Sequence, residues 1–305
     1  MTTTAISLPV QWSLPSWGLS FNTNVKDANG AAYFCTDEKG WSGGPPVRPS
    51  TQGKPYSQGA FNGPNFAGAR IITLFGTVSA PTTIARRAAE HTVAAALMDP
   101  FNLYDLHCTE ETGELIAYVR LDQPTTVVQM PGGLDFQWSM QLAAPDPRKY
   151  SATNQSASTG LPMTTGGLDW ATGGGLDWAT GGGLNWGTVV STGSVVMANA
   201  GTADTWPKFT IAANGTALVT PGITITFNGS TLFYNDTLAG GDVLVIDTNP
   251  SSRSVILNGV SDRRGSLTTA QWASIPAKTT VTAAFSAAVY SATATLSAQW
   301  ANAYW

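Results

Sequence analysis

The sequence predicts a mainly β chain of two domains: an α+β first domain with a single helix, and a second domain built as an antiparallel β-sandwich. Three observations carry this. Leu134, Phe136, Trp138, Met140 and Leu142 alternate without a break with Asp135, Gln137, Ser139 and Gln141. That period of two places the apolar set on one face of a half-buried strand. In the last third, Asn-Gly pairs at Asn214, Asn228 and Asn258 separate short apolar runs, a hairpin signature. Only residues 83–98 carry a convincing helical pattern.

Length and composition agree. A chain of 305 residues fits two domains at a prior of ~150 residues each, both large enough for a core. Charged residues make up 11%, well under the ~25% of ordinary globular chains. Glycine and small polar residues fill the difference and favour short strands and turns. A surface so poor in charge suits faces covered by neighbours. The net charge of −4 leaves no basic footprint for nucleic acid. Cys35 and Cys108 are too few for a disulfide framework. Residues 1–5 hold no basic n-region, and no apolar run approaches the ~20 residues of a membrane span. The expectation is a chain made in a cytoplasm, with reduced thiols and no membrane anchor.

The first domain spans residues 1–150. Residues 6–14 alternate apolar with polar, and Pro9 marks them as an edge strand. Residues 31–35 follow an Asn29-Gly30 turn. Residues 36–69 read as one long loop, punctuated by Gly43, Gly44, Pro45, Pro46, Pro49, Gly53, Pro55, Gly59, Gly63 and Pro64. A loop of that length inside a compact domain is functional or ordered by a partner. Trp41, Arg48, Tyr56, Phe61 and Phe66 lie in it and are the candidate inter-subunit contacts. The competing reading is that one or two of them pin the loop to its own domain. Residues 70–78 form a central strand. Pro81 and Thr82 open the helix, which Asp99-Pro100 stops. Ile84, Ala85, Ala88, Ala89, Thr92, Ala95 and Ala96 fall on one face, with Arg86, Arg87 and Glu90 opposite. Residues 103–108 and 114–121 make a hairpin across 109–113. Residues 125–130 add a strand before the alternating one, which ends at Pro145-Asp146-Pro147.

Residues 151–195 read as a linker. A polar stretch is followed by three copies of Gly-Gly-Leu-Asp/Asn-Trp beginning at Gly166, Gly174 and Gly182. Trp170, Trp178 and Trp186 fall in register and are the candidate linker contacts. Three octads are too short for a solenoid. They suit an interdomain connector or a protein contact surface, with a sugar-stacking ladder as the lesser alternative. The second domain, residues 196–305, follows as strands near 206–212, 223–227, 231–234, 242–247, 254–257, 280–285 and 292–300.

Chemistry is hard to find. His91 and His107 are the only histidines, and neither lies near a Gly-x-Ser-x-Gly elbow. His107 and Cys108 are neighbours on a strand and point to opposite faces, with no second Cys/His pair to complete a metal site. Glu110, Glu111 and Glu114 cluster at one hairpin tip rather than across a cleft. No phosphate loop or dinucleotide fingerprint is present. No catalytic residue, metal or cofactor is expected.

Several stretches together resemble the distal tail proteins of siphophages, called minor tail proteins in phages of actinobacteria. In the first domain these are Asn29-Gly30 leading to Gly40-Trp41, Pro45-Pro46-Val47-Arg48, residues 68–76 with the helix behind them, and residues 136–150 with Ala144-Pro145-Asp146-Pro147-Arg148. In the second they are residues 199–207, Leu238 to Asp242 with Ile246-Asp247-Thr248, and residues 253–259. The resemblance implies a tail-tube-like first domain, a sandwich or barrel with one helix, and a galectin-like second domain. It implies a homo-oligomeric ring, usually a hexamer, at the tip of a long non-contractile virion tail, assembled in the host cytoplasm. The major tail tube protein meets one face and the tail hub the other, with tape-measure and receptor-binding proteins as further neighbours. DNA passes only in transit. Ring or stacking contacts are expected along residues 6–14 and 36–69. Two rival readings are a carbohydrate-binding adsorption protein and a wall-degrading enzyme. No His-x-Asn-x-Arg set is present to carry over a galectin's sugar site.

Overall fold

The alternating strand lies inside the first of two units. The computed structural model describes residues 10–165, 188–215, 217–218 and 222–305. One unit comprises Met1–Thr153 with Tyr304–Trp305, the other Asn154–Ala303.

The first unit contains β1 (Gln11–Leu14), β2 (Leu19–Phe21), β3 (Ala32–Lys39), β4 (Val47–Arg48), β5 (Gln52–Gly53), β6 (Ala60–Phe61), β7 (Phe66–Ala67), β8 (Arg70–Ser79), α1 (Thr83–Ala95), β9 (Tyr104–Glu110), β10 (Gly113–Gln129), β11 (Asp135–Ala144) and β12 (Lys149–Ser151). Its main sheet runs β2-β1-β9-β10-β11-β8-β3, with β12 also on β10. Beyond β2, the Asn22 backbone N–H donates to Tyr33 on β3 at 3.1 Å, so the two ends of the path approach one another. β11 pairs with β8 in unbroken register from Asp135↔Ser79 to Ala144↔Arg70. Phe136, Trp138, Met140 and Leu142 are buried as the alternation requires, while Leu134 stays outside the strand and partly exposed. Gly76 on β8 lies beneath the Trp138 indole, and a Cβ there would run into that ring and the Phe34 carbonyl.

Two sequence expectations change here. β1 is no edge: it pairs with β2 on one side and β9 on the other, so residues 11–14 offer no free ladder to a neighbour. Residues 6–9 lie outside the described residues. The expected strand at 125–130 is the far half of β10, a single long strand whose pairing with β11 slips between Leu121 and Thr126.

The helix also differs. Thr82 caps it, its side chain accepting from Ala85 N at 3.1 Å, but it ends at Ala95, and Leu97 takes a left-handed φ of 62°. Its buried face is Ala85, Arg86, Ala89, Glu90 and Val93, while Ile84 is exposed. The expected face was therefore turned. Arg86 and Glu90 go inward as an ion pair, and Gln129 Nε2 donates to Glu90 at 3.2 Å. A closely paired charge couple can occupy an inner face, here with Arg86 Nε left without a partner among the described residues.

The second unit is a two-sheet sandwich. Its strands are β13 (Gln155–Gly160), β14 (Met163–Thr165), β15 (Thr188–Ser191), β16 (Ser194–Asn199), β17 (Lys208–Ala213), β18 (Ile223–Phe227), β19 (Ser230–Tyr234), β20 (Val243–Asp247), β21 (Val255–Leu257), β22 (Ser261–Asp262), β23 (Leu267–Ala270), β24 (Thr279–Ala287) and β25 (Ala294–Trp300). One sheet runs β13-β25-β17-β20-β21-β22 and the other β16-β24-β18-β19-β23. Phe209 and Phe227 meet edge to face between them at 5.2 Å, within a core that includes Phe285, Leu244 and Leu296. Asn228-Gly229 and Asn258-Gly259 both take positive φ and turn the β18–β19 and β21–β22 hairpins. Asn214-Gly215 does not: it follows β17, whose partners are β20 and β25.

The stretch read as a linker is only partly one. β13 pairs along its whole length with β25 and so belongs to the second unit's sheet. β14 and β15 pair with each other, Thr165 opposite Thr188. The chain therefore leaves and re-enters the repeat at adjacent positions of one ribbon, both inside the second unit. Both flanks of the repeat thus lie in the same unit rather than in one unit each. Trp170, Trp178 and Trp186 lie outside the described residues.

Candidate interaction surface

The loop expected at 36–69 is a projecting arm with a fixed root. At its root Arg70 is fully buried at the start of β8. Its Nη1 donates to the carbonyls of Gly40, Trp41 and Gly43 at 2.8, 3.1 and 2.6 Å, and its Nε to Pro147 at 2.9 Å. Lys149 Nζ adds a bond to the Trp41 carbonyl at 3.1 Å and lies 5.2 Å from the centre of that indole. Trp41 is itself buried, its Nε1 donating to Glu110 at 2.6 Å and its ring standing edge-on to Trp12 at 5.1 Å. Glu38 accepts from Trp41 N and Ser42 Oγ at 3.0 and 2.5 Å. Burial lowers the pKa of Arg70, opposed by Glu38; burial lowers that of Lys149, and Arg70 adds to the effect. Four charged groups thus hold one short backbone segment.

Beyond this root the character changes. No residue from 42 to 69 is buried. β4 pairs with β7, Arg48 opposite Phe66, and β5 pairs with β6, Gln52 opposite Phe61. The tip closes with Lys54 N donating to Gly59 O at 3.1 Å. Tyr56 is 100% exposed, and Val47, Phe61 and Phe66 are each more than half exposed. Lys54 Nζ lies 5.8 Å from the centre of the Phe61 ring. A two-stranded ribbon with neither face covered is marginal in water.

Of the five contact candidates, then, Trp41 is the one that pins the arm to its own unit. Arg48, Tyr56, Phe61 and Phe66 share the projecting ribbon. Arg70, Lys149 and Glu110, which hold the root, were not singled out as a group by sequence. Their common feature, charge beside buried strand positions, becomes visible only when the strands are paired.

The other chemical candidates take structural places. His107 Nδ1 is 2.7 Å from Glu114 and Nε2 is 3.0 Å from Asp105, on the face of β9 opposite the buried Cys108. Burial raises the Cys35 pKa to about 11 and pushes Cys108 higher still, so both thiols are protonated at neutral pH. Among the described residues no cluster of three His, Cys, Asp or Glu is placed to hold a metal, and no helix is long and apolar enough to cross a membrane.

Residues 200–304, most of the sandwich, match the family model for the siphovirus-type tail component, C-terminal domain. Over that span the second unit is similar to a siphovirus-type tail component domain. The fold of the chain extends the likeness to the first unit. It matches the crystal structure of SPP1 Dit (gp 19.1), described as a paradigm of the hub adsorption apparatus in Gram-positive infecting phages, over 90% of this chain and 94% of that one. The TM-score is 0.61 at 12% identity, a likeness of fold. Two structures of the phage P2 baseplate in its activated conformation, with calcium and with strontium, match at TM-scores of 0.46 and 0.44 and identities of 10% and 11%. Each covers 92% of this chain and 99% of the matched one. No curated protein matches the sequence. The mainly β architecture and its likeness in fold to a distal tail protein agree with the resemblance read from the sequence.

Proposed function

We propose that this chain is a tail component whose copies close into a ring at the tail tip, usually a hexamer, and that each arm seats on the neighbouring copy or on the ring stacked against it. The carrying observation is the arm itself: no residue from 42 to 69 is buried, while the buried Arg70 and Lys149, with the half-buried Glu38 and Glu110, fix the root from which it projects. A fixed root with an uncovered apolar ribbon supplies a heterologous contact that closes under rotation. Partner strands or side chains on both faces would supply the burial the ribbon lacks. The ring joins the major tail tube protein on one face to the tail hub on the other and leaves a channel for DNA. Tape-measure and receptor-binding proteins are further expected neighbours. The role is structural, without turnover.

A carbohydrate-binding role finds less support. Among the described residues of the second unit, Trp206 and Trp272 are partly buried and Trp300 is buried, so no fully exposed indole is offered for stacking on a sugar. Negative-stain electron microscopy of the purified chain, alone and mixed with its tube protein, tests the proposal. Rings that stack on tube ends are expected; separate particles of single-chain size in both samples would refute it.

A further inference from the structure

The second unit holds a second concentration of unusual chemistry, on a lateral edge of the sandwich. β22 is the last strand of one sheet and β23 the last of the other. Arg263 and Arg264 lie in the short crossing between them, and Arg253 lies in the turn between β20 and β21. Three of the chain's 15 basic side chains therefore gather at one edge. The Arg253 and Arg264 guanidiniums stand 5.9 and 5.5 Å from the centre of the same Trp272 ring. Arg264 Nη1 also donates to the Arg253 carbonyl, tying the two residues together.

The nearby carboxylates are committed elsewhere. Asp236 takes Arg263 at 3.9 Å and the Ser266 hydroxyl at 3.1 Å. Asp262 accepts the backbone N–H of Arg264 at 2.9 Å. Among the described residues no carboxylate lies within ion-pair distance of the Arg253 or Arg264 guanidinium. Arg253 Nε is buried and has no acceptor among them. The residue also holds a left-handed φ of 40°, uncommon for a side chain of this size. Two cations on one ring repel each other, and a buried donor without an acceptor is unfavourable. An anion between the guanidiniums would offset their mutual repulsion and supply an acceptor beside Arg253.

We propose that Arg253 and Arg264, locked on Trp272 and assisted by Arg263, bind a phosphate group. Guanidinium forks match tetrahedral oxyanions, and a phosphate has enough oxygens to accept from more than one fork at once. Stacking on the indole fixes the forks in advance, which reduces the ordering needed on binding. The phosphate can come free in solution or as a phosphodiester along a polymer. On the ring reading proposed above, repetition of the edge around the oligomer favours the polymer through multivalency.

Calorimetric titration of the full chain at low ionic strength separates these sources, using inorganic phosphate in one arm and a soluble poly(glycerol phosphate) in the other. Binding in either arm is expected at one phosphate group per chain, weakened at least tenfold by Arg253→Gln and by Arg264→Gln, and less by Arg263→Gln, whose cation is shared with Asp236. Binding in the polymer arm alone identifies the polymer as the ligand. Arg264→Lys, at an exposed position, keeps the charge but loses the fork, and a several-fold loss is expected even if a Gln variant misfolds. No binding in either arm, or equal binding by wild type and the folded variants, overturns the site.

Discussion

Arg70 has no solvent-exposed surface, and its Nε and Nη1 donate to the backbone carbonyls of Gly40, Trp41, Gly43 and Pro147 while Nη2 has no partner among the described residues. Replacing it with Met removes four hydrogen bonds and leaves the Trp41 carbonyl with Lys149 alone, so Arg70→Met is expected to destabilise the first unit by about 3 kcal/mol or more in a urea melt. Arg70→Lys should recover little, because an ammonium cannot reproduce the fork. A loss under about 1 kcal/mol would show the root to be held by packing alone. His107 makes a pH-dependent counterpart. Burial pulls its pKa down, but the Glu114 and Asp105 carboxylates outweigh this and the net shift is upward. A raised folded pKa stabilises fully below the ordinary value near 6.5 and is lost as pH rises through the folded value. His107→Asn is therefore expected to lower the urea midpoint more at pH 5.5 than at pH 9; equal losses would contradict the linkage. Single side chains were the least readable part of the sequence. Trp41 looks like any other aromatic in its loop, and what separates it is Glu110 and Lys149, 69 and 108 positions further on.

Among the elements, β11 was legible because one of its faces meets a core and the other does not, so burial follows parity. The helix was misread for an equally physical reason. Alanines occur on several of its faces and carry little directional signal. Its one large apolar residue near the start, Ile84, faces out, while the charged Arg86–Glu90 pair faces in. That assignment has a test. Glu90→Ala strands a buried guanidinium and should cost about 3–5 kcal/mol, whereas the Arg86→Met/Glu90→Leu double variant should regain most of it. If the double variant is as unstable as the single, the pair is not packed as described. The octad repeat shows another limit. Its Gly and Trp pattern could suit a connector or a contact surface, and only the pairing of β14 with β15 showed that it begins and ends on one ribbon. Likewise, an Asn-Gly pair announces a turn but not which strands it joins: Asn228 and Asn258 link ladder neighbours and Asn214 does not.

For the molecule as a whole, the two-domain β architecture followed from length, turn spacing and low charge. The protruding arm did not, because composition reports a loop and not whether that loop folds back. It matters most here, since an exposed ribbon on a rigid root has the form of one half of a contact. Gly68 N donates to Pro46 O at 2.6 Å across the neck of the arm, so residues 47–67 can be replaced by Gly-Gly without disturbing the root. The excised chain is expected to keep wild-type thermal stability, since the arm contributes nothing to the buried core. Light scattering on intact and excised chains at matched concentration decides whether the arm builds the assembly. The intact protein is expected at an integer multiple of 31.9 kDa, near six for a hexamer, and the excised one at the single-chain mass. An intact chain that stays monomeric even with its tube partner, or an excised chain that assembles as well as the intact one, would contradict the ring and the arm's part in it.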